Sequence, residues 1–437
     1  MIPIIKRSKK LKNEIENNIE SGLPENDHRR LGKELDLFSF SPDIVGSGLA
    51  LWHPNGAIIR EEIESFWKEH HRKHGYKYVF TPEIGLKKIF EKSGHLAHFA
   101  DAMYPPMDMS LKDKAEQTAY YVKPMSCPFH VCIYNSGPRS YRELPIKYCE
   151  LGRVYRYEAS GGLHGMSRVR CITQDDAHII CRKDQFMDEL NKVIDFGRDF
   201  HKVFGYDKFK VYFSVRDLEN KRDKYIENEP IWQFAEESIK QVLKDKGIDY
   251  DVDVGGAKFY GPAIDFKVID CGGREWQWMT IQLDMNLPEK WGMSYVGEDG
   301  KKQVPIMIHR AILGALERYL AVYLENCNGN LPVWLSPVQV KILSVSDKHS
   351  EYAKQIEQKL IDAGIRAEYD GDGNTVGYQI RAAAKQKIPY VIIVGDKEVV
   401  DNSISVRFRG GEQESDIKLS DFLARIQKAI KDKSLEL

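Results

Sequence analysis

Residues 156–170 read RYEASGGLHGMSRVR. The stretch begins with an Arg-x-Glu triplet, Arg156 and Glu158, continues through a loop with three glycines, and ends with Arg168 and Arg170. Because extended, apolar sequence lies on both sides of it, we predict a β-hairpin with this stretch at its tip. A guanidinium group presents planar donors that match phosphate oxygens, so several of them on one loop indicate a site for a polyanion. Triphosphate is the first candidate.

The composition is that of an ordinary globular protein with more than one domain. The 437 residues suffice for two or three sizeable cores; 42% are hydrophobic, 30% are charged, and no apolar run reaches the ~20 residues of a membrane span. Seven scattered cysteines fit a reducing compartment, and the amino terminus resembles neither a signal nor a transit peptide. We therefore expect a cytoplasmic protein with no membrane partner. At a net charge of −1, any nucleic acid must be held by a local basic surface.

The first two thirds of the chain mix strands with helices in a way that favours an antiparallel sheet. Apolar residues at helical spacing predict a helix over 56–75, ended by Gly75, and a strand over 76–84, stopped by Pro82. Further helices are predicted near 184–204 and 230–247. Between them, runs of strands without regular βαβ alternation predict an antiparallel sheet that carries helices, an α+β fold.

A second folding pattern begins where Pro332 and Pro337 bracket a boundary. It predicts a small α/β domain of about a hundred residues, separate from the first. The predicted strands and helices, in chain order, are strand 338–345, helix 350–363, strand 365–369, helix 376–387, strand 390–395, strand 403–408 and helix 419–431.

Three features resemble the signature motifs of class II aminoacyl-tRNA synthetases: Pro82 after a helix and strand, the Arg156–Arg168 stretch, and GALER, which ends in Arg318. Five longer sequence segments resemble, more specifically, the threonyl-tRNA synthetase family: DHRRLGKELDLF, KPMSCPFHV, GGLHGMSRVRCITQDDAHIIC, VPIMIHRAILGALER and GDKEV. The resemblance extends from about Asp27 to the carboxyl end of the chain.

The resemblance implies an architecture and a reaction. We expect an amino-terminal extension at 1–27, a class II synthetase-like antiparallel sheet flanked by helices at 28–335, and an α/β anticodon-binding domain at 336–437. The implied reaction is the ATP-dependent ligation of L-threonine to threonine tRNA through threonyl adenylate, with Mg²⁺ accompanying ATP.

The resemblance also gives the arginines of the hairpin individual roles. Arg156 is expected to contact the α-phosphate of ATP, Glu158 the adenine, Arg168 the γ-phosphate and Arg318 the far side of the nucleotide; Gln282 is a further expected nucleotide contact. From the residues alone, Arg156 and Glu158 could equally form a surface cross-strand pair.

Cys127, His178 and His309 form a second group. Their spacing in the sequence carries almost no metal signal, and each residue alone could be an ordinary core side chain. The resemblance implies that the three hold one Zn²⁺, leaving an open coordination position for substrate. His309 and Arg318 would point apart on one continuous helix, so we predict a strand through His309 and a helix that begins near Gly314.

The family pocket that binds the amino acid maps onto Asp176, Gln174 and Tyr260. Asp176 is expected to accept a hydrogen bond from the threonine hydroxyl. The segment YGPAIDF differs from the usual family pattern, because Ala263 occupies the position where a lysine is usual. Lys258 is expected to share a strand face with Tyr260 and to supply the displaced charge. Reduced activity would explain Ala263 equally well.

The resemblance assigns base reading in the anticodon to Glu398 and Arg407, and in part to Asn374. The family asparagine is shifted here, with Gly373 in its place and Asn374 beside it. A surface Glu–Arg pair on a generic α/β domain is the alternative for Glu398 and Arg407.

The expected partners follow from the same resemblance. The helix at 56–74 and the Pro82 strand match the motif of a two-fold interface, so a homodimer is expected. Relatives commonly carry a large amino-terminal region that hydrolyses seryl-tRNA, and 27 residues are too few for one. We therefore expect mischarging with serine and a separate trans-editing protein.

Two alternatives to this function stay open. Another class IIa synthetase, prolyl or seryl, would lack the zinc-ligand residues. A synthetase-like tRNA-binding regulator without catalysis would explain Ala263 but not the intact arginines.

Overall fold

The computed structural model describes residues 22–109, 119–220, 224–371 and 373–437. Most of the expected extension, residues 1–21, lies outside the described residues. The described chain divides into two compact units. One contains residues 22–41, Ala50–Ile63 and Ala321–Leu437, and the other contains Pro42–Leu49 and Glu64–Leu320.

Helices occur along most of the described chain, and no described helix has the length and hydropathy of a membrane span. The α-helices run His28–Glu34, Pro54–Lys73, Lys87–Lys92, His95–His98, Cys127–Tyr134, Phe186–Lys202, Glu229–Asp245, Leu287–Lys290, Leu316–Cys327, Ser350–Asp362, Val376–Lys385, Asp396–Asp401 and Leu419–Lys431. The predicted helix over 56–75 is confirmed, with Gly75 in the left-handed conformation (φ 78°) just after its end.

An eight-stranded sheet is the centre of the Glu64–Leu320 unit. Its strands are β1 (Lys77–Tyr78), β2 (Ile146–Tyr155), β3 (Cys171–Cys181), β4 (Lys210–Val215), β5 (Asp251–Val254), β6 (Ala263–Ile269), β7 (Glu275–Asp284) and β8 (Ile306–Ala311). They lie in the order β5-β4-β6-β7-β8-β3-β2-β1. Only the two outermost pairs, β5–β4 and β1–β2, are parallel. The predicted antiparallel sheet is confirmed.

Two amphipathic helices, Phe186–Lys202 and Glu229–Asp245, correspond to the helices predicted near 184–204 and 230–247. The buried faces include Leu190, Ile194 and Phe200 on the first helix and Ile239 on the second. Burial of side chains of this size at ~25 cal/mol per Å² is the main stabilising contribution of such helices. The α+β class is therefore confirmed for this unit.

The hairpin prediction is also confirmed, because β2 and β3 pair antiparallel with Tyr155 opposite Cys171. Residues 156–170 therefore form the connection between them. Beyond the hairpin, β3 alternates its side chains between two faces. Asp175 points away from the face of Asp176 and accepts hydrogen bonds from Arg310 (2.7 Å) and from the backbone N–H groups of Ile312 (2.6 Å) and Leu313 (2.8 Å). This buried carboxylate fixes the backbone just before helix Leu316–Cys327.

The strand predicted over 76–84 was wrong in its length. The structure has the two-residue β1, and the next strand, Ile84–Leu86, belongs to a separate three-stranded sheet with Met107–Asp108 and Ala119–Val122. The reason is local: the backbone N–H of Thr81 donates to the Glu150 carboxylate (3.1 Å), and Pro82 has no N–H to donate. The ladder with β2 therefore ends before Pro82.

The other unit contains a five-stranded sheet, and the sequence predicted four of its strands. Its strands are β9 (Val340–Ser344), β10 (Ala367–Asp370), β11 (Tyr390–Val394), β12 (Ile404–Phe408) and β13 (Gln413–Ile417), in the order β10-β9-β11-β12-β13. The core joins β9 and β11 to helices 350–362 and 419–431 through Ile342, Ile392, Ile356 and Phe422. Strand β13 and helix Asp396–Asp401 were not predicted, because both are short and carry few apolar residues.

Candidate active site

A cavity of about 570 Å³ in the Glu64–Leu320 unit collects most of the residues singled out from the sequence. Its lining includes Cys127, Arg156, Gln174, Asp176, Lys258, Tyr260, Gln282, His309 and Arg318. Three other predicted site residues of the same unit lie outside its lining: His178 is fully buried beside His309, while Glu158 and Arg168 pair with each other.

Strand register explains why residues far apart in sequence meet here. On β3, Gln174, Asp176 and His178 are two apart and share one face. In the next strand along the sheet, His309 of β8 lies opposite His178, and Gln282 of β7 lies opposite His309. Antiparallel pairing therefore places three polar residues of neighbouring strands in one row across the sheet.

Arg156 and Arg318 bring positive charge to the cavity. Arg156 donates from Nη2 to Gln174 Oε1 (3.2 Å), and its guanidinium lies 5.6 Å from the ring of Phe99. Arg318 donates from Nε to the Ser167 carbonyl (2.9 Å). Burial lowers the pKa of both guanidinium groups from their usual values, and the like charge of Arg168 adds to this effect at Arg318. An anion in the cavity would relieve the cost of keeping these cations out of water.

Glu158 is held by Arg168 and not by Arg156. Both Nε (3.0 Å) and Nη2 (2.8 Å) of Arg168 donate to Glu158 Oε2, and the Arg168 side chain is 54% exposed. The cross-strand pair of Arg156 and Glu158 that the residues alone allowed is therefore not formed. An exposed ion pair of this kind contributes about 0–1 kcal/mol, so a ligand can separate it at little cost.

Cys127, His178 and His309 place their ligand atoms within 4.8 Å of one another. Cys127 begins helix Cys127–Tyr134. Burial, together with the Asp176 carboxylate, raises the pKa of its thiol well above the usual value. A thiolate at this position therefore needs a cation beside it.

The two histidines are oriented as metal-ligating histidines usually are. His309 directs Nε2 to the Asp284 carboxylate (2.9 Å), and His178 directs Nδ1 to Nδ1 of His130 (2.8 Å). Their remaining nitrogens, Nδ1 of His309 and Nε2 of His178, face each other at 3.0 Å. Burial, and then the neighbouring His309 and His130, lower the pKa of His178 well below its usual value, so its ring is neutral. A soft thiolate and two neutral imidazoles suit Zn²⁺.

The polar residues beside this triad suit a small amino acid. Asp176 is buried, which raises the pKa of its carboxyl group, and its Oδ2 accepts from the backbone N–H of Ser126 (3.3 Å). Tyr260 donates from its hydroxyl to Gln282 Oε1 (2.5 Å) and stacks on His309 with 5.0 Å between ring centroids. These groups could orient an ammonium and a hydroxyl against the triad.

The strand geometry predicted for Lys258 was wrong. Lys258 and Gly261 exchange backbone hydrogen bonds (3.0 and 3.3 Å) across a tight turn, and β6 begins only at Ala263. Gly261 permits this turn, because a Cβ there would meet the Leu283 carbonyl at an impossible distance. Lys258 and Tyr260 nonetheless both line the cavity, whereas Ala263 is fully buried outside its lining.

Two functional candidates escaped the sequence analysis although signals for them were present. Asp284 follows Gln282 by two on β7, so the strand period alone puts the two on one face. His130 follows Cys127 by three on a helix, which places it on nearly the same side. Neither role was visible without knowing that His178 and His309 lie between them.

The residues expected to read the anticodon lie in the other compact unit. Glu398 caps helix Asp396–Asp401, accepting from the N–H of Gly395 (2.9 Å), and also accepts from the Ser405 hydroxyl (2.8 Å). Ser405 and Arg407 are two apart on β12 and share a face. Asn374 is exposed just before helix Val376–Lys385. The structure gives Glu398 a clear local role in holding the turn.

Two family models match the chain. The tRNA synthetase class II core domain (G, H, P, S and T) matches residues 110–327, and the anticodon binding domain matches residues 339–429. The antiparallel sheet, the hairpin with its arginines and the following α/β unit thus define a class II aminoacyl-tRNA synthetase.

Curated relatives narrow the class. The threonine–tRNA ligases of Sulfurihydrogenibium sp. (strain YO3AOP1) and Aquifex aeolicus (strain VF5) are 48% and 47% identical over 93% of this chain, which spans 61% and 62% of their lengths. That of Borreliella burgdorferi (strain ZS7) is 44% identical over 96% of the chain and 70% of the relative. A crystal structure of the RNA binding domain of threonyl-tRNA synthetase from Cryptosporidium parvum Iowa II, 34% identical, superposes with a TM-score of 0.85 over 92% of this chain and 98% of that one. The chain belongs to the threonyl-tRNA synthetase family.

Proposed function

We propose that this protein ligates L-threonine to threonine tRNA at the expense of ATP. The observation that carries the proposal is that one cavity is lined by Arg156 and Arg318 and by Cys127 and His309, whose ligand atoms lie within 4.8 Å of that of His178. The arginines suit the phosphates of ATP, and the triad suits a metal that binds the amino acid. Members of the family catalyse a reaction that uses both ATP and an amino acid, and this reaction accounts for the arginines and the triad together.

The first step forms threonyl adenylate. An oxygen of the threonine carboxylate attacks the α-phosphorus of ATP, the bond from that phosphorus to the bridging oxygen breaks, and pyrophosphate leaves. Mg²⁺ would accompany ATP and neutralise charge on its phosphates. Arg156 would hold the α-phosphate, and Arg168 and Arg318 the other end of the nucleotide, with Glu158 and Gln282 as further nucleotide contacts. The protein contributes positioning and charge stabilisation and needs no nucleophile of its own.

The second step transfers the amino acid. A hydroxyl oxygen of the terminal adenosine of the tRNA attacks the acyl carbon, the bond from that carbon to the phosphate oxygen breaks, and AMP leaves with the hydroxyl proton on its phosphate. The anticodon unit would hold the tRNA through Glu398, Arg407 and Asn374. Residues 28–335 and 336–437 are the proposed catalytic and anticodon-binding domains.

Cys127, His178 and His309 would hold one Zn²⁺, which when bound supplies a Lewis-acid contact for the amino group and the hydroxyl of threonine. Asp176 would accept from the same hydroxyl, while Gln174 and Tyr260 complete the wall. Lys258, which reaches the cavity from its turn, is the proposed substitute for the missing lysine at Ala263.

ATP–pyrophosphate exchange, measured with each amino acid in turn, tests the proposal. Exchange with threonine supports it. Exchange confined to proline or serine would identify another class IIa synthetase, and tRNA binding without exchange would identify a regulator.

One zinc per chain is the first expected result for the site. Elemental analysis of the purified protein should find it. Cys127→Ala should lose both the metal and threonine-dependent exchange, because two imidazoles alone form an incomplete site. Cys132→Ala is the matched control, since this exposed cysteine lies five residues further along the same helix and outside the triad. A Cys127→Ala protein that activates threonine without metal would contradict the zinc site.

A homodimer is the second expected result. Phe80 is 85% exposed, and Ile84 and Leu86, which follow it, are 47% and 41% exposed. Apolar groups concentrated in one segment next to Pro82 suit burial against a second copy of the chain. Light scattering at micromolar concentration should give about twice the chain mass of 50.4 kDa. Phe80→Glu should shift the protein toward the monomer, while Val400→Glu, an equally exposed apolar position in the other unit, should not.

Serine offers such a site the same amino group and hydroxyl as threonine. Discrimination of one methyl group is worth about 1–3 kcal/mol, so the cavity alone cannot exclude it. Removal of seryl-tRNA must then occur outside this cavity, which is the role of the proposed trans-editing partner.

A further inference from the structure

A chain of buried side chains runs from Glu150 to Asp284 through three histidines. Nε2 of His130 lies 3.4 Å from Oε1 of Glu150, and Nδ1 of His130 contacts Nδ1 of His178 (2.8 Å). His178 then contacts His309 (3.0 Å), and His309 contacts Asp284 (2.9 Å). All five residues are less than a tenth exposed. His178 and His309 are two of the proposed zinc ligands, whereas Glu150 and His130 are not.

Glu150 is an anion at one end of this chain. Lys123 lies 3.3 Å from Oε1 of Glu150, and Thr81 donates to the same carboxylate from both its hydroxyl (2.7 Å) and its N–H (3.1 Å). Burial opposes ionisation, yet contacts with His130 and Lys123 lower the pKa of Glu150 to about 2. A carboxylate only accepts hydrogen bonds, so the nitrogen that faces it must carry a hydrogen.

The two carboxylates restrict where the hydrogens of the imidazoles can lie. With a cation between His178 and His309, each of the three imidazoles carries one hydrogen, so three N–H groups serve the four contacts of the chain. The contacts to Glu150 and Asp284 each need one, and the Nδ1–Nδ1 contact needs the third. The contact left without a hydrogen is the one between His178 and His309, where two lone pairs then face each other. A cation placed against both lone pairs, next to the Cys127 thiol, removes this repulsion.

The other tautomer of His178 places the repulsion between lone pairs at a different contact, the one between His130 and Glu150. If His178 carried its hydrogen on Nε2, His130 would have to donate from Nδ1 to His178. With its one hydrogen on Nδ1, His130 would then present the lone pair of Nε2 to Glu150. Among the described residues, this buried nitrogen has no well-aligned hydrogen-bond acceptor, and the carboxylate is placed to receive its hydrogen. Glu150 therefore disfavours the tautomer of His178 that cannot bind a metal.

We propose that Glu150, acting through His130, is a positioning residue that holds His178 in its metal-binding tautomer and thereby sets the affinity of the site for zinc. The inference rests on the zinc site of the proposed function and adds residues to it that contact neither metal nor substrate. Helix Cys127–Tyr134 serves both purposes, because it carries one ligand, Cys127, and the relay residue His130.

The test is zinc affinity, measured by competition with a chromophoric chelator on the full chain. Glu150→Gln keeps the shape but removes the obligatory acceptor, since its amide can also donate to Nε2 of His130. We expect zinc to bind about 10- to 100-fold more weakly. Glu189→Gln is the matched control, because Glu189 is equally buried and pairs with Lys147 (2.6 Å). Glu189 lies outside the relay of Glu150, His130 and His178. The zinc affinity of this variant should therefore stay within twofold of that of the unaltered chain.

A double-mutant cycle separates the relay from a general loss of structure. His130→Leu should weaken zinc binding, whereas His130→Gln should bind more tightly than His130→Leu, because a glutamine oxygen can still accept from Nδ1 of His178. In the His130→Leu background, Glu150→Gln should cost little further affinity. The visible spectrum of the Co²⁺-loaded variants reports whether thiolate ligation is kept.

The outcomes are distinct. If the unaltered chain binds zinc and Glu150→Gln binds it equally well, or if its effect is the same with and without His130, the relay is wrong and the proposed function stands. If the unaltered chain holds no zinc at the triad, the zinc site and the relay both fail. Should Glu150→Gln not fold, the comparison of His130→Gln with His130→Leu decides, with equal affinities overturning the proposal.

Discussion

Valine is expected to be activated at least about 10⁴-fold less efficiently than threonine in ATP–pyrophosphate exchange, as kcat/KM. Valine has the shape of threonine with a methyl group in place of the hydroxyl. Binding it would leave Asp176, a buried carboxyl group, without the hydrogen bond that the hydroxyl gives. Serine keeps the hydroxyl and lacks only the methyl group, so its loss should be about 10- to 200-fold.

Asp176→Ala should narrow the gap between threonine and valine, because the polar group that penalises valine is gone. The neighbouring Asp175 is unsuitable as a control, since it holds Arg310 and the backbone before the Arg318 helix. Asp184→Ala, an exposed position after β3, is suitable and should leave the ratio unchanged. Valine activated nearly as efficiently as threonine, with serine still rejected, would show that size, and not the hydroxyl, sets specificity.

Local patterns predicted the elements that carry this site. The Arg156–Arg170 stretch between apolar runs predicted the hairpin, and the nine-residue separation of His309 and Arg318 predicted a strand followed by a helix; the structure has β8 and helix Leu316–Cys327. Both predictions use only the geometry of one element or one turn. The family resemblance was needed to bring Cys127, His178 and His309 together, because their contact depends on the order of strands in the sheet.

The failures of prediction share a physical cause. At Thr81 a side chain from β2, Glu150, takes the N–H that would have continued the strand, and at Lys258 a close approach to the Leu283 carbonyl selects a turn. The hydrogen-bond partners of the histidines likewise come from other elements. Tertiary contacts of this kind leave no periodic signal in the sequence; the strand period places Asp284 on the face of Gln282 but does not reveal its contact with His309.

Arg156→Ala should lower kcat/KM for threonine-dependent exchange by about 10³-fold. Removing one donor that stabilises charge in a transition state typically costs 10²- to 10³-fold, and a guanidinium on a transferring phosphoryl group can supply 10³- to 10⁵-fold. Arg156 is desolvated, which strengthens its attraction for an α-phosphate. Arg156→Lys should recover little of the loss, because an ammonium cannot reproduce the planar fork.

Whether the substitution lowers kcat or raises the KM for ATP distinguishes an Arg156 that acts on the transition state from one that only binds ATP. An arginine that acts on the transition state lowers kcat, while one that only binds ATP raises its KM and leaves kcat nearly unchanged. Arg182→Ala is the matched control, because this arginine forms a surface pair with Asp184 (2.8 Å) and should keep full activity. Gln174 accepts from Arg156, so Gln174→Leu should give a smaller fall in the same parameter. An Arg156→Ala enzyme with unaltered kcat would remove Arg156 from the chemistry and leave it a role in ATP binding alone.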